Sequence, residues 1–167
     1  GRATIDYLDP AKEEFLEYDV TKLIYQLATV KKPVVAWLSS LPMSGGMDPM
    51  TGQPSEPWFV MVQAQELFTV RNLDATITSI DPDVDVLVLV HPKNLPPAAL
   101  FAIDQYALGG GHLLVFVDPD ASQDTSAVEP NNPMAAMGAD RSSNLEPLFK
   151  AWGVRYDPGE VVVDQQR

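Results

Sequence analysis

The sequence predicts an α/β fold, an open, mostly parallel sheet with helices on both faces. Three observations lead there. The strand-like runs, above all Val86–Val90 and Leu113–Val117, are apolar throughout rather than alternating, as strands covered on both sides are. Helical periodicities separate these runs. Glycine and proline clusters punctuate nearly every junction.

The elements follow in order. Asp9-Pro10 pairs a helix-capping residue with proline at the first helical position. Beyond it Phe15, Leu16, Leu23, Ile24 and Leu27 recur at three- and four-residue steps, giving one apolar stripe on a helix over 9–30. Asp19 and Thr21 allow a kink near 18–19. Pro33 opens the short buried strand 34–38. A long loop follows, Ser39 to Pro57, rich in Gly, Pro, Ser and Met, and loops of that length are usually functional or disordered. A helix is expected over 57–68, a short strand at 69–73, a turn at Asp81-Pro82-Asp83, and the clearest strand at 84–90. Pro96-Pro97 starts a helix that Gly109-Gly110-Gly111 stops, glycine alone tolerating the left-handed turn cheaply. Strand 112–117 leads into a second polar loop over 119–142. Ser143 or Asn144 caps a helix through Trp152, and strand-like runs occupy 154–156 and 160–163. The pattern matches flavodoxin-like and glutamine-amidotransferase-like three-layer sandwiches. In such sheets ligands bind beyond the strand C-termini, where both long loops emerge.

The chain has 167 residues, enough for one domain with one core. Its net charge of -12 repels phosphate backbones and anionic lipid headgroups, arguing against nucleic-acid and direct membrane binding. It has no cysteine, and so no disulfide, thiolate metal site or cysteine nucleophile. No apolar run approaches the roughly 20 residues of a membrane span. Gly1 at the start, and Arg167 just after Val161–Val163, read as the limits of a soluble piece excised from a longer membrane-anchored protein.

Several chemistries can be weighed on the residues. A serine nucleophile needs a histidine within reach. His91 stands at a strand end, with Ser39, Ser40 and Ser44 expected on the same rim, but no Gly-x-Ser-x-Gly elbow exists. His112 begins a strand and belongs at the opposite end of the sheet. Asp81, Asp83 and Asp85 imitate the opening of a calcium loop, which then fails at Val86 and Pro92. They read as turn residues, as do Asp118 and Asp120, whose carboxylates bond nearby backbone N–H groups. Ser44-Gly45-Gly46 lacks the residues of a nucleotide loop and lies too far from the helix start near Pro57 to cradle phosphate. No metal or cofactor is expected. Met43, Met47, Met50, Met134 and Met137 concentrate in the two loops, where flexible thioethers suit an adaptable protein contact.

The segment Asp83–Pro119, with Ala-Ile-Asp-Gln-Tyr-Ala-Leu before Gly-Gly-Gly-His and Val-Asp-Pro after the strand, resembles the auxiliary component of ABC-type transport systems, the gliding-motility GldG-like family. Lys32–Pro42 and Leu145–Val154 fit as well, so the resemblance runs in order through nearly the whole chain. It is also similar to a domain of intraflagellar transport proteins. The resemblance implies a domain without enzymatic activity on the extracytoplasmic side of the cytoplasmic membrane, anchored by flanking segments and working with a permease or other transport subunits. A second expectation is a small-molecule or carbohydrate-binding module using the rim of Ser39, Ser40, Ser44, Gly45, Gly46, His91, Lys93, Asn94, Asp118 and Asp120. A degenerate amidotransferase-like hydrolase is the third. It requires His91 against a serine hydroxyl, whereas an interaction domain requires exposed apolar surface.

Overall fold

The computed structural model describes residues 4–5, 10–47, 52–124 and 139–160. A 3₁₀ turn, Pro10–Phe15, runs into helix α1, Leu16–Ala28. Strand β1 is Val34–Ser39, and two short strands, β2 (Gly46–Met47) and β3 (Pro54–Ser55), form a small antiparallel hairpin inside the loop after it. Helix α2 (Phe59–Leu67), β4 (Thr69–Leu73), β5 (Val86–Val90), α3 (Pro97–Leu108), β6 (His112–Phe116) and α4 (Glu146–Trp152) complete the order.

β4, β1, β5 and β6 lie side by side in that order, all parallel. The first strand of the sheet therefore sits inside, with the second on one flank and the third and fourth on the other, as in flavodoxin-like sheets. Trp37 sits level with Asn72 on one side and Val88 on the other.

The side-chain period of two divides the strands between two layers. Val34, Ala36, Leu38, Leu87 and Leu89 point to the face covered by α3 and α4 and join Ala99, Ile103, Leu145, Leu148 and Phe149 in the core. Burying each large aliphatic there stabilises by roughly 1.5–3 kcal/mol. Val35, Trp37, Val86, Val88, Leu114 and Phe116 point to the other face, where, among the described residues, α2, Tyr18 of α1 and Met43 line the same groove. The expected three layers are present, but unequally filled.

Two glycines after α3 have separate reasons. Gly110 takes φ +89°, a left-handed turn that L side chains resist. At Gly111 a Cβ would meet the Tyr106 ring at 2.4 Å. That ring is held by its hydroxyl, which donates to the Val84 carbonyl at 3.2 Å.

Three sequence expectations change. The chain passes from 3₁₀ to α geometry at Phe15–Leu16, and no break occurs at 18–19. Val154–Tyr156 is not a strand: Val154 N–H closes the end of α4 on the Phe149 carbonyl, and the Tyr156 ring packs edge-on against Phe149 at 5.9 Å. Local capping and ring packing thus use the groups a strand would need. Loop 39–57 contains the β2–β3 hairpin rather than being wholly irregular. Asp9, Met50, loop residues 125–138 and strand-like residues 161–163 lie outside the described residues.

The aspartates before β5 are structural. Arg71 on β4 binds Asp83 through both guanidinium nitrogens, at 2.9 and 3.0 Å, and reaches Asp81 at 2.7 Å. Asp85 accepts the Val34 N–H at 2.7 Å. The Arg71 bond holds the Asp83 carboxyl below its ordinary value. Hydrogen bonds from Ser142 and Thr76 do the same for Asp140 and Asp74. A depressed folded pKa contributes stability above the unfolded value of about 3.9, lost as pH falls through the folded one. Melting temperature should therefore hold from pH 7 to about pH 5 and fall below about pH 4. Arg71→Ala should flatten part of that acid fall, and an unchanged acid limb in this variant would exclude the Arg71 clamp as a contributor.

Candidate functional site

The expected crevice lies between the C-terminal ends of β1 and β5, where the connections leave in opposite directions. Here the protein's own bonds cross it. The Ser40 hydroxyl accepts the Lys93 N–H at 3.2 Å and donates to the Lys93 carbonyl at 3.4 Å. Ser39 Oγ accepts the Leu41 N–H at 3.0 Å. Two of the predicted rim segments thus meet, and they stitch the crevice together.

Behind the stitch is a buried polar cluster. His91 follows β5 with φ +46°, a left-handed conformation that costs a non-glycine residue of order 1 kcal/mol. Its N–H bonds the Phe116 carbonyl at 2.9 Å. The turn points the ring inward, where His91 is 1% exposed. Its Nδ1 lies 3.0 Å from Ser143 Oγ and its Nε2 3.3 Å from Asp124 Oδ2. An ionised carboxylate only accepts, so Nε2 is the protonated nitrogen of this contact. Ser143 Oγ also accepts the Asp118 N–H at 2.9 Å. Lys93 Nζ reaches the same Asp124 oxygen at 2.6 Å and bonds the Asp140 carbonyl. Five bonds among six residues tie three separate segments: 91–93 after β5, 118–124 after β6, and 140–143 before α4.

The chain Asp124–His91–Ser143 has the donors and acceptors of a carboxylate–imidazole–hydroxyl relay. Acyl transfer also needs a nucleophile open to a substrate, and Ser143 is 2% exposed with Asp118 N–H on its oxygen. It stands in the wall of a cavity of about 410 Å³ that Asp140, Ser142, Asn144, Glu146 and Tyr156 also line. The arrangement fits a latch that satisfies buried polar groups.

The other rim residues go elsewhere. Gly45 and Gly46 take φ +74° and +146° in the hairpin, and a Cβ on Gly45 would lie 2.6 Å from the Ser55 carbonyl oxygen. That close approach explains the glycine without a phosphate. Ser44 and Asn94 are exposed, the latter in a turn at φ +52°. Asp118 Oδ1 accepts the Asp120 N–H at 2.9 Å, and Asp120 pairs with Arg141 at 2.7 Å. Among the described residues no group of three His, Cys, Asp or Glu is placed to hold a metal. The serine that meets His91 is not one of the three rim serines. Ser143 or Asn144 reads from sequence as the cap of α4, but the N-cap position is Leu145 and no side chain caps it: Ser143 is turned to His91, and Asn144 Oδ1 lies 3.5 Å from the Glu146 N–H. Asp124 gives no local signal at all. His112 stands at the far end of the sheet, level with Val86.

Another concave feature lies elsewhere, on the thinly covered face. A groove of about 610 Å³ runs between α2 and the sheet, lined by Trp37, Met43, Val88, Val90, Leu114 and Phe116 among others. None of its lining residues is charged. Leu114 and Phe116 remain 47% and 52% exposed on its open side, and Phe59 on α2 is exposed too. Of the loop methionines, Met43 is buried in this groove's wall and Met47 is exposed.

No helix among the described residues is long and apolar enough to cross a membrane. Comparison with curated proteins and with solved structures returns no match. The model of the family described as an ABC-type uncharacterized transport system matches residues 32–167, so the chain, with its four parallel strands and stitched rim, belongs to that family of ABC transport auxiliary components.

Proposed function

We propose that the chain is a non-enzymatic, extracytoplasmic interaction domain of an ABC-type transport system, anchored through flanking segments and of the gliding-motility GldG-like kind. One observation carries the interaction reading: a contiguous apolar, uncharged surface stays open on the β5–β6 side of the sheet. Exposed apolar patches of this sort mark contact sites. The permease or another transport subunit is the partner that the family supplies. The stitched crevice and buried polar cluster support the non-enzymatic part, because they fill the place where this sheet type binds small ligands.

Phe116→Asp with Leu114→Asp is the direct test. Both side chains are about half exposed and lie outside the core cluster, so the chain should still fold while co-purification with the transport subunits drops at least about tenfold. Recovery of the complex at wild-type level would remove this face from the interface. The compartment is tested separately, by whether added protease reaches the domain in intact cells or only after lysis.

One observation favours a second reading, a degenerate hydrolase: His91 lies between Ser143 and Asp124. Covalent labelling of the purified chain by a fluorophosphonate, lost in Ser143→Ala, would establish it. Absence of labelling leaves the latch.

A further inference from the structure

Helix α1 has no buried residue along its 13 positions. At 100° per residue its sides are distinct. Lys22 joins Gln63 and Glu66 of α2, and on the same side Tyr18 and Tyr25, themselves exposed, line a groove together with Leu67 and Phe68. Leu16, Val20, Ile24 and Leu27, at steps of four, four and three, fall on the opposite side and are all exposed, Ile24 to 61%. An amphipathic helix ordinarily turns its apolar stripe to the core. This one turns it away, and α1 lies ahead of the residues that the family model matches.

Charge decides what covers the stripe. Acids predominate in the helix's approach and first half, where Glu13, Glu14, Glu17 and Asp19 outnumber Lys12, while Lys31 and Lys32 follow its end and Lys22 is paired with Glu66 of α2. A second copy laid antiparallel brings Glu17 alongside the partner's Lys31 and Val20 opposite the partner's Leu27, about a two-fold axis near Leu23–Ile24. A parallel copy sets acid against acid. An anionic lipid surface meets the same acids and a domain of net charge -12. We propose that α1 is a self-association surface, pairing antiparallel with α1 of a second copy of this chain. The contact is isologous, as two-fold interfaces are. The helix is only about 20 Å long, so the interface is small and the dimer weak, with Kd of roughly 10–100 µM.

Sedimentation equilibrium of this chain from about 5 to 500 µM should give a mass rising from 18.3 kDa towards twice that value. Ile24→Glu should keep it monomeric, with an unchanged circular dichroism spectrum because no core residue is touched. Leu16→Glu is the second such variant. Because the chain has no cysteine, orientation is read by disulfides. In an antiparallel pair Val20→Cys and Leu27→Cys chains link when mixed. Each alone does not, since its copies are about 10 Å apart along the axis. A monomer throughout the range, an Ile24→Glu chain that still dimerises, or efficient self-linking of the single-cysteine chains would each overturn the proposal.

Discussion

Asp124→Ala is expected to lower the unfolding free energy by about 3 kcal/mol, because it removes the carboxylate that binds two cluster members inside the protein. Asp124 accepts from His91 at 3.3 Å and from the Lys93 ammonium at 2.6 Å, and its side chain is nearly inaccessible. The transition temperature should drop by about 6–12 °C for a chain of this size. Ser143→Ala should cost less, roughly 1–2 kcal/mol, leaving Asp118 N–H and His91 Nδ1 without that hydroxyl. Urea unfolding of both variants checks the order. A stability of Asp124→Ala within about 0.5 kcal/mol of the parent would mean that the cluster does not hold the three segments together. Its conservation of fold would then need another cause, and the hydrolase reading would gain.

The second large effect compares the two faces of the sheet. Leu87 is fully buried against α3 and α4, whereas Leu114, on the neighbouring strand, faces the groove and is 47% exposed. Leu87→Ala should cost about 2–5 kcal/mol, since the loss of its methyl groups leaves a cavity that packed neighbours fill only in part. Leu114→Ala should cost less, roughly 1 kcal/mol, because nearly half of its surface stays in water in the folded chain and no enclosed cavity is left. Equal costs would mean that the β5–β6 face is covered in solution. The dimer of the preceding section predicts no such cover, since α1 turns its stripe away from the groove.

Much of the architecture is legible before any coordinates. Val86, Leu87, Val88, Leu89 and Val90 form an uninterrupted apolar run, and a strand flanked by other strands and layered on both sides suits it. Pro97 and Gly110 bracket α3 because each solves a local backbone problem. The aspartates at 81–85 read correctly as turn residues, for a calcium loop needs glycine and glutamate where Val86 and Pro92 stand. The site was less legible. Strand order predicts Ser39, Ser40 and His91 on one rim, yet Ser40 bonds Lys93 while His91 turns inward to Ser143. Ser143 lies 52 residues along the chain from His91, and no spacing rule links them.

Local chemistry in the sequence thus determined which segments are strands and helices, that the strands run parallel, and which end of the sheet carries the long loops. These follow from side-chain period, proline and glycine geometry, and the need to cover apolar strands. Only the tertiary structure decided which partner each polar side chain takes, and which apolar stripes are covered. The spaced side chains Leu16, Val20, Ile24 and Leu27 and the run Leu87–Leu89 are alike in being apolar, and nothing in one dimension says which is covered. Burial belongs to the packing of distant elements, which put α3 and α4 over one face, left the other open, and turned the stripe of α1 outward.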